Sequence, residues 1–274
     1  MASEHPEISI ITIVRNDAPA LERTISSVSQ QFLKNYEFII IDGGSVDGTV
    51  DVISSHADLV SSWVSEPDQG IYDAMNKGLT HAKGEWVIFL NAGDIFPDDF
   101  TLKQLSDGIS AVPQAEVIYG DSIAGYGQFQ IYRKAGSPAE LWKGMFCNHQ
   151  SMLFRRKLFY HREFRTDLDI AGDHEFVYRI HNEGFTFSYF PIAVVTWHTR
   201  GVSNRRQVKS VIERYKMVMQ YHRYSLSRKF YYLLLLLLAV LVEVAYLIVP
   251  GSWIRPVIKW INKRNLVRGK TAEV

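Results

Sequence analysis

Cysteine is almost missing: Cys147 is the single one among 274 residues. One thiol closes no intrachain disulfide and builds no Cys-rich zinc site, so a fold held by packing in a reducing compartment is expected. Glycine and proline are modest at 18 and 9, which excludes collagen-like and low-complexity chains. After Met1 the chain reads ASEHPE, without a basic n-region, and the apolar stretch Ile8 to Val14 is too short for an h-region, so no signal peptide is expected. What is present is ordinary globular material, 47% hydrophobic and 22% charged in 31.4 kDa. That is room for one large domain or two small ones.

Net charge is also nearly missing, at +1, but the balance hides a division near residue 200. Residues 1–199 carry 15 Lys+Arg against 26 Asp+Glu, a net −11, while residues 200–274 carry 15 against 3, a net +12. A basic tail suggests a nucleic acid or an anionic membrane surface. The run FYYLLLLLLAVLVEVAYLIV, Phe230 to Val249, favours the membrane and no nucleic acid. At about 1.5 Å per residue it matches a hydrocarbon core about 30 Å thick. Arg223, Arg228 and Lys229 precede it, and Arg255, Lys259, Lys263, Arg264 and Arg268 follow it, so both flanks favour the cytoplasmic side. Glu243 inside the run is costly for a crossing, Pro250-Gly251 interrupts the helix, and WIRPVIKWINKRNLV has the pattern of an interfacial amphipathic helix. A monotopic or re-entrant hairpin is expected over a single crossing; a buried core helix would leave the basic flanks unexplained.

The body alternates in period. ISIITIV (8–14), YEFIIID (36–42), LVSSWVSE (59–66) and EWVIFL (85–90) have the composition of strands. Between them, Leu21, Ile25, Val28 and Phe32 mark a helix from Ala20 to Phe32, Thr49 to Ser55 begins another, and Ala74, Met75, Gly78 and Leu79 share a face of a helix from Ile71 to Ala82. This β-α-β-α-β-α-β order predicts an α/β fold, a mostly parallel sheet flanked by helices, with ligands beyond the carboxyl ends of the strands. There lie three polar clusters: IIDGGSVDGT, SEPDQGIYDAMNKG and FLNAGD. Glycine beside a carboxylate lets backbone approach a ligand while the acid meets a ribose, a base or a metal; each cluster alone could also be a tight turn.

In order, SIITIVRN, IIDGGSVDGT and EPDQGIYDAMNKGLTHAKGEWVIFLNAGD resemble bacterial family 2 glycosyltransferases with the GT-A fold, of the kind that builds capsule, exopolysaccharide or O-antigen. The resemblance covers about residues 7–205. It implies a donor half at about 7–100, an acceptor and catalytic half at about 101–205, and a basic, hydrophobic membrane-associating region at 206–274. It also implies a UDP- or GDP-type nucleotide sugar, a divalent cation (Mn²⁺ or Mg²⁺) and an inverting transfer. Donor contacts would come from Ile13, Val14, Arg15, Asp42, Ser45, Asp68, Asn76, Lys77, Asn91 and Arg200, and cation contacts from Asp94 and His198. The family's DDGS stands here as Asp42-Gly43-Gly44-Ser45, lacking one acid, and its metal motif as Asn91-Ala92-Gly93-Asp94, with one carboxylate. A hard cation can still bind through one carboxylate plus diphosphate oxygens and water. The arginine the family often has before an asparagine is Met75, followed by Asn76 and Lys77, and Lys77 is either a phosphate contact or a solvated helix residue.

The second half holds FCNHQSMLFRR and LDIAGDHEFVYRI. His149 and Gln150 are expected at the acceptor, although His149 could equally cap a strand. The resemblance puts the base at Asp173, with Glu175 as the fallback, because an inverting transfer needs a carboxylate to take the acceptor hydroxyl's proton. An acid favoured by the helix dipole is the alternative for Asp173. The expected protein is a glycosyltransferase on the cytoplasmic face of the inner membrane, acting on a lipid-linked saccharide acceptor carried by polyprenyl diphosphate. A nucleotidyltransferase would carry a Gly-rich, lysine-containing loop where VRNDAPALERT stands. A non-catalytic membrane adaptor would not need Asp94 and Asp173.

Overall fold

The computed structural model describes residues 6–126, 129–198 and 207–248. Strand β1 (Ile8–Val14) is buried along its whole length, as expected of a β-branched run covered on both faces. It pairs in parallel with β2 (Tyr36–Asp42) and β4 (Trp86–Phe89), and β3 (Ser62–Ser65) lies parallel beyond β2. Helices α1 (Ala18–Ser29), α2 (Thr49–Ser55) and α3 (Ile71–His81) make the crossovers. Asp17 caps α1 by accepting the Ala20 N–H at 3.1 Å.

Helix α1 stops at Ser29, short of the expected Phe32. Gln31 draws the chain away, donating to Asp98 O at 2.7 Å and accepting from Leu102 N at 2.9 Å. Phe32 is left 70% exposed and stacked on Phe100.

The second half corrects the expectation of a mostly parallel sheet. It adds α4 (Thr101–Ala111), β5 (Val117–Tyr126), β6 (Phe129–Arg133), β7 (Met152–Arg155), α5 (Gly172–Asn182) and β8 (Phe187–His198). The order is β3-β2-β1-β4-β7-β5-β6, with β8 on β5. Strand β7 runs antiparallel to β4 and β5, β6 forms an antiparallel pair with β5, and β8 is parallel to β5. The sheet is therefore mixed: parallel through the first half, turned back by β7.

Alternate residues of the strands feed two cores. Ile11, Ile13, Ile39 and Ile41 face Tyr72 and Met75 of α3 and Phe176 of α5. Ile10, Phe38 and Ile40 face Leu21 and Ile25 of α1 and Leu102 of α4. Beyond the sheet, α6 (Gln207–Tyr221) and α7 (Leu226–Ile248) form a hairpin. Val211, Met217 and Val218 of α6 and Tyr232 and Ala239 of α7 join the first core, so both helices dock on the domain. Glu243, expensive in a crossing, accepts the Val208 N–H at 3.0 Å and satisfies a donor at the start of α6. Among the described residues no helix is long and apolar enough to cross a membrane. The outer face of α7 nevertheless exposes Phe230, Leu233, Leu234, Leu237, Leu238 and Leu241.

Candidate active site

Parallel registry places Val14, Asp42 and Ser65 side by side at one sheet edge. The loops after β1, β2, β3 and β4 meet there, where open α/β sheets bind ligands. Ile13 and Val14 bury their side chains in the two cores and present backbone: Val14 O accepts Gly43 N at 2.9 Å, and Ile13 O accepts Ala92 N at 3.2 Å.

Asp42 is fully buried, and its carboxylate is engaged within the protein. It accepts from Ser45 N at 3.0 Å, from Ser45 Oγ, and from Ser65 Oγ at 2.6 Å. Ser45 Oγ also accepts the Asn16 N–H at 2.7 Å, so this pair holds the loops after β1 and β2 together. Gly44 bends between them at φ +75°, which favours glycine. Gly43, where the family has its second acid, lies directly under the Asp68 carboxylate: a Cβ there would overlap Asp68 Oδ2 and come within 3.2 Å of Arg15 Cδ. The missing acid's place is thus filled from the loop after β3, and Asp68, held by the Gly70 N–H at 3.0 Å, sits beside Arg15.

Two expected donor contacts have other work. Lys77 closes the 66–73 loop, lying 2.8 Å from Glu66, 3.4 Å from Asp73 and 3.0 Å from Pro67 O. The Glu66 hydrogen bond raises its pKa. The Asn76 amide is used at both ends on Phe164, donating to its O and accepting from its N at 2.9 Å each. It ties the two halves of the domain together.

After β4, Asn91 to Asp94 form a turn closed by Asp94 N donating to Asn91 O at 2.9 Å, with Gly93 at φ +94°. Thr24 of α1 fixes it, donating to Asp94 O at 2.8 Å and accepting from Gly93 N at 2.9 Å. Asn91 Oδ1 is buried without a hydrogen-bond partner in this same turn as the Asp94 carboxylate. One carboxylate and one orphaned amide oxygen are hard donors that suit Mg²⁺ or Mn²⁺ completed by diphosphate and water. Among the described residues no cluster of three His, Cys, Asp or Glu forms a metal cage; Arg200 and the His198 side chain lie outside them.

A short 3₁₀ turn, His149–Ser151, joins the two sides. Gln150 Nε2 donates to Asp94 Oδ2 at 3.0 Å, and the preceding residue places His149 Nδ1 3.0 Å from Asp173 Oδ2. The other oxygen, Asp173 Oδ1, lies 3.1 Å from the Tyr72 hydroxyl, which also donates to Ile170 O at 2.7 Å. Burial pushes the Asp173 carboxyl up, but the hydrogen bond and charge of His149 and the His174 backbone outweigh it and hold it below the ordinary value. Gly172 is required by proximity, since a Cβ there would stand 2.6 Å from the Tyr72 ring.

Glu175, the fallback base, is turned away. It is buried beside Arg179 at 3.2 Å, and burial raises its pKa. Two residues without a local signal support Asp173: Tyr72 from α3, and Glu213 from α6, whose carboxylate accepts the N–H groups of Asp169, Ile170 and Ala171 at 3.2, 3.0 and 2.9 Å. Neither was readable from spacing, because their partners lie 101 and 42–44 residues away.

The model of the family "Glycosyl transferase family 2" matches residues 9–162, more than half of the chain. The chain belongs to glycosyl transferase family 2. A PGL/p-HBAD biosynthesis glycosyltransferase of Mycobacterium bovis is 29% identical over 222 residues, 77% of this chain and 85% of that protein. An uncharacterized glycosyltransferase of Mycobacterium tuberculosis is 33% identical over 183 residues, 64% of this chain and 68% of that one. Among solved structures, S. aureus TarS 1–349 in complex with UDP-GlcNAc has a TM-score of 0.63 at 16% identity, over 78% of this chain and 66% of that one. The mannosyltransferase PcManGT of Pyrobaculum calidifontis, in complex with GDP-Man and Mn²⁺, has 0.62 at 18%, over 95% and 81%. These neighbours share the GT-A-like α/β fold, and the family match sets the nucleotidyltransferase reading aside.

Proposed function

We propose that this glycosyltransferase moves one sugar, with inversion, from a UDP- or GDP-type nucleotide sugar to a saccharide carried on a polyprenyl diphosphate, at the cytoplasmic face of the inner membrane, in surface polysaccharide synthesis. The observation that carries this is the His149–Gln150 turn, which holds a donor-side carboxylate, Asp94, and an acceptor-side carboxylate, Asp173, through consecutive side chains. Transfer needs that pairing: the diphosphate must be neutralised as it leaves while a base opposite it frees the nucleophile.

In this reading Asp173 takes the proton of the acceptor hydroxyl. The freed oxygen forms a bond to the anomeric carbon as the bond to the diphosphate breaks on the opposite face, and the nucleoside diphosphate departs with the electron pair. His149 and Tyr72 fix both carboxylate oxygens in place. Asp68 beside Arg15 presents the carboxylate that the DGGS sequence lacks, and Ile13 and Val14 contribute strand-end backbone. Asp94 and the Asn91 amide oxygen would hold a divalent cation, which would supply positive charge to the diphosphate. The exposed apolar face of α7 and the basic tail give the membrane contact.

The test is a thermal-shift panel of nucleotide sugars with Mn²⁺ or with EDTA. One nucleotide class should stabilise the protein only when the cation is present. Equal stabilisation in EDTA would remove the cation, and no stabilisation by any nucleotide sugar would remove the donor.

A further inference from the structure

Arg214 of α6 and Arg228 of α7 lie against the same turn, Trp142 to Gly144. The Arg228 guanidinium stacks over the Trp142 ring at 5.2 Å, and its Nη1 is buried without a hydrogen-bond partner among the described residues. Arg214 Nη1 comes within 3.3 Å of the place a Cβ on Gly144 would take. Both charges act on the buried hydroxyl of Tyr232, which donates to Trp142 O at 2.7 Å. Arg214 donates Nε to Ser210 O at 3.3 Å, and among the described ion pairs neither guanidinium meets a carboxylate. Two half-buried guanidiniums without a counter-ion among the described residues, one with an orphaned donor, are the chemistry of a phosphate site.

Position identifies the phosphate. On one side, Leu141, the residue before Trp142, accepts from His174 at 2.7 Å, and His174 follows Asp173. On the other, Arg228 stands at the start of α7, where the exposed row Phe230, Leu233, Leu237 and Leu241 begins. The apolar row of α7 is thus joined through Arg228 to the Trp142 turn, and that turn through Leu141 and His174 to the residue next to Asp173. A lipid-linked saccharide has the same sequence of chain, diphosphate and sugar hydroxyl.

We infer that Arg214 and Arg228 bind the diphosphate of a membrane-embedded prenyl-linked acceptor, with Trp142 as their platform and the α7 face under the prenyl chain. The inference rests on the lipid-acceptor reading above and adds the residues that recognise it. The guanidinium forks hold the headgroup at the leaflet surface and deliver the saccharide towards Asp173.

The test uses the full chain and vesicles of phosphatidylcholine, with or without a prenyl diphosphate, in EDTA so that the donor site holds no cation. Wild type should bind the prenyl diphosphate vesicles at least about tenfold more tightly than plain ones, the scale of charge-assisted hydrogen bonds. The Arg214→Gln/Arg228→Gln variant should bind both alike, and Arg214→Lys/Arg228→Lys, which keeps charge without the fork, should recover part of the difference. A glutamine variant that keeps the full preference overturns the site, as does a wild type without one. Inorganic pyrophosphate that binds the pair as tightly as the vesicles do would assign it to a soluble anion and contradict the lipid. Nucleotide-sugar hydrolysis measured in parallel separates the failures: binding through the pair without hydrolysis of any donor overturns the enzymatic reading and leaves the site.

Discussion

Asp68 occupies the space that a side chain at position 43 would need, so a carboxylate from a different loop stands where the usual motif has its second acid. Gly43→Ala should displace the Asp68 carboxylate and weaken nucleotide binding about tenfold by calorimetry, with little change in melting temperature. Unchanged affinity would separate Asp68 from the donor. Next to Asp173, His174 is buried, donates through Nε2 to Leu141 O, and has its pKa pushed down to about 4 by burial, against the pull of that bond and of Asp173. In the folded state it therefore binds fewer protons than in the unfolded state, where histidine titrates near about 6.5. Stability should be complete above that pH and fall as pH drops from about 6.5 towards 4, by about 3 kcal/mol in total. His174→Gln, which can still donate to Leu141 O, should flatten that slope in denaturant titrations at several pH values. An unaltered slope would place the acid sensitivity elsewhere. Asp173 adds to the same trend lower down: its carboxyl is held below the ordinary value, so its contribution is present above about pH 3.9 and is lost as pH falls through the folded-state value.

The elements that were legible in the sequence are those whose pattern is local. ISIITIV and YEFIIID announce buried strands because runs of isoleucine put apolar side chains on both faces, and the helix on Ala74, Met75 and Gly78 shows its buried face. The glycine-acid clusters at the strand ends drew attention to Asp94, and the family resemblance to Asp173; the turn that links the two side chains, His149–Gln150, was not legible as such. What stayed hidden depends on pairing across the chain: β7 turning antiparallel between β4 and β5, Asn76 reaching Phe164, and Tyr72 reaching Asp173. The end of α1 was misplaced because Phe32 fits the helical period while Gln31 is held by α4 and the loop before it. Helix α6 is the strongest case, since a carboxylate at 213 carries no motif yet accepts three successive backbone donors just ahead of Asp173. Glu213→Ala should cost about 1–3 kcal/mol by leaving those donors unpaired. It should also lower kcat more than it raises the donor KM. An equal loss in both would make Glu213 a general support of the fold.

At the scale of the molecule, the acidic body and the described part of the basic tail, residues 207–248, pack together. Helices α6 and α7 complete the first core beside the 169–171 loop, while the outer face of α7 stays apolar and exposed. Leu237→Glu/Leu241→Glu, on positions 54% and 64% exposed, should leave the melting temperature near wild type and strongly reduce sedimentation with anionic vesicles. Unchanged sedimentation would move the membrane contact off this face. In the proposed mechanism one turn joins a cation-binding carboxylate, Asp94, to a proton-accepting one, Asp173, and this is tested by nucleoside diphosphate release from a panel of UDP- and GDP-sugars by wild type, Asp94→Ala and Asp173→Asn. Wild type should release one nucleotide in a Mn²⁺-dependent reaction that yields the inverted anomer by NMR. Asp94→Ala should be inactive, and Asp173→Asn should bind the donor normally and turn over about 10²–10⁴-fold more slowly. Retained anomeric configuration, or wild-type rates in either variant, would contradict it.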